Sequence, residues 1–99
     1  MAPRKVNLYV NDVLIPIEGF TKEFIGRVVT GMLTMLKGTG EIKDAHLSIK
    51  GDIVNININN TLVSVNPFVN KLIKSTIIGM VSSLKGVGQI DRLEISITE

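Results

Sequence analysis

The 99-residue chain contains no cysteine. Disulfide bonds, thiolate nucleophiles and cysteine-ligated metals are therefore excluded, and the composition fits a protein of a reducing compartment. Histidine is almost as scarce, since His46 is the only one. No cluster of acidic residues stands near His46 at the spacing of metal ligands, so the sequence predicts neither a metal site nor a cofactor.

The sequence also lacks a large excess of charge of either sign, and it lacks long apolar runs. The net charge is only +2 and the 11 basic residues are scattered, whereas binding to a nucleic-acid backbone relies on a basic stripe. The apolar runs are far shorter than the roughly 20 residues that span a membrane. Residues 1–5 lead into a strand pattern and not into a signal-peptide core. We therefore expect a cytoplasmic protein that binds neither nucleic acid nor membrane.

What the chain does contain is an internal repeat. Residues 6–49 align with residues 54–97 at a constant offset of 48 without a gap, and 15 of the 44 aligned pairs are identical. The identical pairs are mostly apolar residues and glycines, and Lys37 with Lys85 is the only matched charged pair. A chain of this length with 44% apolar residues supports one core. The sequence therefore predicts a single domain over residues 1–99, built from two related units.

Each unit opens with the alternation of a half-buried strand and a tight turn. Apolar residues alternate with polar ones at Val6, Leu8 and Val10, and again at Val54, Ile56 and Ile58. The dipeptides 11–12 and 59–60 consist of Asn and Asp, which tolerate the positive φ of two-residue hairpins. The predicted pairs across these turns are Val10/Val13, Leu8/Ile15 and Val6/Ile17, then Ile58/Thr61, Ile56/Val63 and Val54/Val65. Gly51-Asp52 predicts a third hairpin that joins the two units and places residues 53–58 inside the sheet.

A helix is predicted next in each unit, from apolar residues at i, i+3 and i+4 spacing. The predicted buried stripes are Phe20, Phe24, Ile25, Val28, Val29, Met32, Leu33 and Leu36, and then Phe68, Leu72, Ile73, Thr76, Ile77, Met80, Val81 and Leu84. Asn66-Pro67 is typical of a helix start, whereas the first helix has only Glu18-Gly19 or Thr21. Gly38 and Gly86 are typical of the left-handed residue that ends a helix.

A third strand follows each helix, at about residues 45–50 and 93–98. The order strand, strand, helix, strand, given twice, predicts an α+β two-layer sandwich of duplicated β-β-α-β units with pseudo-two-fold symmetry. Its sheet would be six-stranded and mostly antiparallel, with both helices on one face. The sequence leaves open whether the sixth strand pairs with the first or lies at an edge.

Two glycines fall at matching positions in the middle of the helices. Gly31 and Gly79 each cost about 1 kcal/mol relative to Ala at such a site. The interpretation that we prefer is close packing of the helix against its neighbour helix or the sheet. The alternative is a ligand that contacts exposed backbone.

The sheet face turned away from the helices is the candidate site. It is predicted to carry Asn7, Tyr9, His46, Ser48, Asn55, Asn57, Glu94 and Ser96, together with Pro16 and Ser64. This polar face with little charge is either ordinary solvent-facing surface or a recognition surface of amides and hydroxyls. Catalysis by His46 with Ser48 or Glu94 is not favoured, because no orienting acid or oxyanion hole is marked.

Two segments of the second unit carry a family resemblance. Residues 65–69, Val-Asn-Pro-Phe-Val, and residues 78–86, Ile-Gly-Met-Val-Ser-Ser-Leu-Lys-Gly, resemble a short C-terminal segment of some bacterial molybdopterin-guanine dinucleotide biosynthesis B proteins. The first unit matches more loosely, through Ile15-Pro16-Ile17, Phe20 and Gly31-Met32. Members of that family bind GTP through a separate domain with a phosphate-binding loop, and no such loop occurs here. The resemblance implies at most an accessory module.

The repeats preserve glycines, turns and core positions while their ionisable residues differ. We therefore predict a non-catalytic binding or assembly module, with a partner protein or a second copy of the chain as its ligand. The alternative is an accessory domain for a small molecule such as a pterin-type cofactor, linked to molybdenum cofactor biosynthesis and bound on the polar face or between the two units.

Overall fold

The computed structural model describes residues 5–36 and 40–98. Its elements in chain order are β1 (Lys5–Val10), β2 (Val13–Ile15), α1 (Gly19–Thr34), β3 (Asp44–Lys50), β4 (Ile53–Ile58), β5 (Thr61–Val63), α2 (Pro67–Ser82) and β6 (Arg92–Thr98). The predicted order of strand, strand, helix, strand, given twice, is therefore correct. The fold is α+β.

The six strands form one open, fully antiparallel sheet in the order β2-β1-β6-β3-β4-β5. The last strand lies in the interior, between β1 and β3, which settles the placement that the sequence left open. Consequently β1 and β3, which belong to the same repeat, are not adjacent strands. β4 is also interior, as predicted for its apolar, uncharged sequence, and only the three-residue strands β2 and β5 form edges.

The predicted hairpin registers are confirmed wherever both residues lie in strands. Val10 pairs with Val13 and Leu8 with Ile15. The equivalent pairs of the second hairpin and the pairs across Gly51-Asp52 also agree with the prediction, namely Ile58/Thr61, Ile56/Val63, Lys50/Ile53, Ile49/Val54 and Leu47/Ile56. The predicted pairs Val6/Ile17 and Val54/Val65 do not form, because β2 and β5 each end two residues earlier. Asn and Asp at positions 11, 12, 59 and 60 adopt positive φ, as these turns require.

One apolar core lies between the sheet and the two helices. The strands contribute alternate residues and each helix contributes three fully buried ones, Ile25, Val29 and Leu33 in α1 and Ile73, Ile77 and Val81 in α2. Among the described residues no polar side chain belongs to the buried class. Each helix therefore covers the sheet with one narrow line of residues spaced four apart.

The predicted helix stripes are too wide. Phe20, Phe24, Phe68 and Leu72 are exposed, and so is Thr76, whereas Met32, Leu36, Met80 and Leu84 pack at the rim of the core. The physical reason is the two-layer architecture. Residues that point more than about 100° away from the buried line meet no third layer, whatever their hydrophobicity.

The packing prediction for the mid-helix glycines is wrong. Gly31 and Gly79 are exposed, and a Cβ built on either would meet nothing within 4 Å. The close approach occurs instead at Gly26, whose added Cβ would lie 3.0 Å from a methyl group of Val6. Thus α1 contacts β1 through Gly26, and the two matched glycines face away from the protein's own core.

The helix starts differ as the sequence predicted. The side chain of Asn66 accepts a hydrogen bond from the backbone N–H of Val69 at 2.8 Å, with Pro67 as the first helical residue. Glu18 stands at the equivalent position of α1 and makes no capping hydrogen bond. The helices end earlier than predicted, at Thr34 and Ser82, although Gly86 does adopt a left-handed φ of 87°. Lys37 and Gly38 lie outside the described residues.

Candidate functional site

Eight of the ten residues predicted for this surface come together on the sheet face opposite the helices, whereas Pro16 and Ser64 lie beyond the ends of β2 and β5. The eight form two rows that cross the four central strands, one of Asn7, Ser96, His46 and Asn57 and one of Tyr9, Glu94, Ser48 and Asn55. We call these eight residues the polar face. Glu94 is the only acid in it, and the Asn side chains are exposed at all three positions. The alternation of the strands places them there, because every second residue points away from the core.

Two leucines that sequence reasoning missed border the polar face. Leu14 of β2 pairs with Tyr9, and Leu62 of β5 pairs with Asn57, so each leucine extends one of the two rows to an edge strand. Both side chains are more than half exposed. The alternation of strand residues could have identified them, because each is the middle residue of a three-residue strand whose two outer residues lie on the helix side of the sheet. Their presence gives a polar centre with an apolar residue at opposite edges.

An acid that the sequence pattern did not single out lies beside His46. Asp44 is two residues away on β3, and its Oδ1 atom lies 3.3 Å from Nε2 of His46. That oxygen is buried and accepts no hydrogen bond in the strict sense, so the contact is an ion pair only when the imidazole is protonated. Asp44, His46 and Ser48 thus share one face of β3.

This line of acid, imidazole and hydroxyl does not have the geometry of nucleophilic catalysis. The cross-strand partners of Ser48 are Asn55 and Glu94, and no hydrogen bond joins Ser48 to His46 among the described contacts. Glu94 lies diagonally from His46, which faces Ser96. The residues lie on a broad sheet surface, whereas acyl transfer needs a nucleophile bonded to its base and donors aimed at an oxyanion.

Two asparagine side chains fix the loops that lead into the central strands. Oδ1 of Asn11 accepts from the backbone N–H groups of Asp91 and Arg92 at 2.8 and 2.9 Å, while Nδ2 donates to the carbonyl of Gln89 at 2.9 Å. The backbone N–H of Asn11 donates to the carbonyl of Arg92 at 2.8 Å. We call this arrangement the asparagine clamp. It holds the start of β6, which carries Glu94 and Ser96.

Asn59 makes the same clamp at the start of β3. Its Oδ1 accepts from the N–H groups of Lys43 and Asp44 at 2.9 and 3.1 Å, its Nδ2 donates to the carbonyl of Glu41 at 2.7 Å, and its N–H donates to the carbonyl of Asp44 at 2.8 Å. Each clamp joins one repeat to the other, since Asn11 binds residues 89–92 and Asn59 binds residues 41–44. The two strands at the centre of the polar face are therefore positioned by turns from the opposite unit.

Two charged pairs stand outside the polar face, both at the end of the sheet where β6 begins. Arg92 donates to Asp12 at 2.6 Å, and this bond together with the nearby negative charge raises the pKa of Arg92. Lys74 of α2 is bonded to Asp52 in the turn between β3 and β4, and the bond lowers the pKa of Asp52 below its ordinary value of 3.8. Asn70 binds the same turn through the carbonyl of Asp52 at 2.7 Å and the N–H of Val54 at 3.0 Å.

Neither a metal site nor a membrane span is found in residues 5–36 and 40–98. No group of three or more histidine, aspartate or glutamate side chains is arranged there to hold a metal ion. No helix of that part of the chain is long and apolar enough to cross a bilayer.

Comparison with protein-family models, with curated proteins and with solved structures found no match to this chain. The resemblance of residues 65–69 and 78–86 to the molybdopterin-guanine dinucleotide biosynthesis segment therefore stays a prediction.

Proposed function

We propose that the chain is a non-catalytic binding module whose ligand is a protein, and that the polar face is its recognition surface. One observation carries the proposal. The eight side chains lie in two rows across the four central strands of the sheet, with one acid among them and a half-exposed leucine at each of two edges.

The chemistry of this surface suits a protein partner with an uncharged polar centre. Amide and hydroxyl groups exchange hydrogen bonds with water for hydrogen bonds with a partner, without the larger cost of desolvating charges. Leu14 and Leu62 add apolar surface, and its burial against a partner would stabilise the complex. The polar face also lies on firmly positioned backbone. Its strands β3 and β6 are interior, and the asparagine clamps hold the loops that lead into them.

We also infer that the module arose by duplication of a β-β-α-β unit and has pseudo-two-fold symmetry. The registers support this inference. Leu8 pairs with Ile95, and the equivalent residues Ile56 and Leu47 pair likewise. Between the units, Leu47 pairs with Ile95, its own counterpart in the alignment. A duplicated surface of this kind presents similar residues, such as Asn7 and Asn55, on both sides of its centre.

The proposal is tested with matched baits. The double variant Asn55→Lys with Asn57→Lys adds charge to two exposed positions of β4 in the polar face. Ser75→Lys with Ser82→Lys adds the same charge at two exposed positions of α2. Proteins captured from cell extract are identified, and the binding of each purified candidate is measured by calorimetry.

A purified partner that binds the wild type and the α2 variant but loses at least about tenfold in affinity for the β4 variant supports the proposal. A partner that binds all three baits equally contradicts the assignment of the polar face. The pterin alternative is read in the same proteins. Two shallow grooves lie on the helix side and include none of the polar face; one is lined by α1 residues, and the other by α2 residues, Ser75 among them, with Asp52. A pterin that raises the melting temperature of the β4 variant as much as that of the wild type would therefore point to the helix side instead.

A further inference from the structure

The outer side of the helix layer is a second surface, independent of the polar face. Five large apolar side chains are exposed there, Phe20 by 80%, Phe24 by 47%, Met35 by 84%, Phe68 by 73% and Leu72 by 53%. We call these five the helix-layer patch. The rings of Phe20 and Phe24 contact each other, with centroids 5.7 Å apart.

The exposed apolar area of the patch reaches and passes the upper end of what a monomer usually leaves in water. A large side chain offers roughly 150–250 Å² of surface, so the exposed fractions of the five amount to about 500–800 Å². The largest apolar patch of a typical soluble monomer is roughly 300–600 Å², and a stable interface buries about 800 Å² on each partner. The helix-layer patch therefore supplies most of the area that a stable dimer needs.

The residues of the patch are spaced so that one copy fits another. Phe20 and Gly31 are eleven residues apart, which is three helical turns, and so they lie on one line of α1 about 16 Å apart. Phe68 and Gly79 repeat this spacing on α2. Each line has a bulky ring near its start and, near its end, a glycine with nothing within 4 Å. In an antiparallel pair of such helices, the ring of one copy lies over the glycine of the other.

The charges on α1 are self-complementary in the same arrangement. Glu23 and Arg27 form an exposed ion pair at 2.7 Å, one turn apart and next to Phe24. When two copies of α1 run antiparallel about a point near Phe24, Glu23 of each approaches the partner's Arg27. Opposite charges then meet on both sides of the two-fold axis, and specificity of this kind selects a second copy over an unrelated apolar surface.

We propose that the chain forms a homodimer in which two helix layers stack, each helix antiparallel to its counterpart in the other copy. Phe20 and Phe68 of one copy cover Gly31 and Gly79 of the partner subunit. This arrangement gives the matched glycines the close-packing role that their own chain does not provide. It buries the helix-layer patch and leaves both polar faces on the outside of a four-layer assembly, free to bind a partner.

The charge pattern is tested by sedimentation equilibrium. Glu23→Arg produces a copy with two adjacent cations, and Arg27→Glu produces a copy with two adjacent anions. Each single variant should dissociate, with a Kd at least about tenfold above that of the wild type. An equimolar mixture of the two variants should recover a dimer of wild-type affinity. Single variants that dimerise as tightly as the wild type would overturn the antiparallel register.

The proposed contacts over Gly31 and Gly79 are tested by placing side chains at these two positions. Gly31→Gln with Gly79→Gln should raise the thermal stability of the dilute monomer, because glutamine is a better helix former and nothing within 4 Å obstructs it. The same variant should lose dimerisation by at least about tenfold. A purely structural role for the glycines would not separate these two readouts. The control is Leu14→Ser with Leu62→Ser, on the sheet side, which should leave the dimer intact.

Failure of this proposal differs from failure of the proposed function. A wild-type chain that sediments as a monomer at every concentration, or a dimer that is lost in the Leu14 and Leu62 variant but kept in the glycine variant, overturns helix-layer stacking. Neither result touches the binding of a protein to the polar face, which is measured with the Asn55 and Asn57 variant.

Discussion

Asn11 and Asn59 show how much one side chain can do at a turn. Each uses a carbonyl oxygen to accept two backbone N–H groups and an amide nitrogen to donate to a backbone carbonyl. Aspartate has the oxygen but lacks the donor, and glycine suits the positive φ but has neither. The sequence marked both residues as turn formers. The sequence also contained a hint of the clamp, because asparagine, and not glycine, stands at this position in both units.

Replacing Asn59 by Asp should therefore destabilise the fold. The variant loses the donor to Glu41 and places a carboxylate against that carbonyl, and we expect a loss of about 1–3 kcal/mol in the free energy of unfolding. Urea denaturation measures it. The control is Asn60→Asp, since aspartate already occupies the equivalent position 12 and the positive φ is tolerated there. Equal stability of the two variants would show that the Nδ2 donor of the clamp contributes nothing to the free energy of unfolding.

The strands were predictable from sequence because the relevant information is local. Alternation assigns each strand residue to a face, and a two-residue turn fixes the register, so Val10/Val13 and Ile58/Thr61 follow directly. The polar face was predictable for the same reason. The buried faces of the helices were less predictable. Helical spacing marks an apolar residue such as Phe20 as a core residue, although its own chain leaves it exposed and only a second copy could bury it. No local pattern distinguishes burial by the chain itself from burial by a second copy.

The link between α2 and the turn of residues 51–52 should depend on pH. Lys74 lowers the pKa of Asp52 in the folded chain, so Asp52 contributes stability that is fully present above its unfolded pKa of 3.8. This contribution is lost as the pH falls through the lower, folded pKa. In Lys74→Met the pair is absent at every pH. The wild type should therefore be more stable than the variant near neutral pH, and the difference should shrink in strongly acidic solution.

Urea denaturation at a series of pH values from neutral to about one unit below 3.8 measures this difference. The control is Lys71→Met, which removes a lysine from the exposed side of the same helix. A difference between wild type and Lys74→Met that does not change with pH would mean that the lysine stabilises through its methylene groups, and not through the carboxylate of Asp52.

At the scale of the whole molecule, the strand order joins the two units in one sheet. β6 of the second unit separates β1 from β3 of the first, so neither unit contains a continuous sheet of its own. The sequence did not determine this placement, because β6 is apolar on one face wherever it pairs. In its interior position β6 pairs with edges of β1 and β3 that would otherwise be free. The two asparagine clamps, which cross between the units, support the same arrangement.

Cutting the chain at the turn between the units should expose this dependence. In the fragment of residues 1–51, β3 loses both of its neighbours and β1 keeps only the short β2, so three exposed edges replace a paired interior. Residues 52–99 likewise contain β6 without either of its partners, and Asn59 loses the loop that it clamps. Below about 60 residues a single core is already marginal, so we expect each fragment to be unfolded alone.

Mixing the two fragments should restore the fold, because every strand then regains the partners of the intact sheet. Far-ultraviolet circular dichroism should show little regular structure in either fragment at low concentration and the spectrum of the whole chain in the equimolar mixture. The control is the full chain with a protease site inserted after Gly51, folded first and cleaved afterwards, which should keep its spectrum. A fragment of residues 1–51 that unfolds cooperatively as a monomer would mean that the unit folds without β6, against the dependence that the sheet order implies.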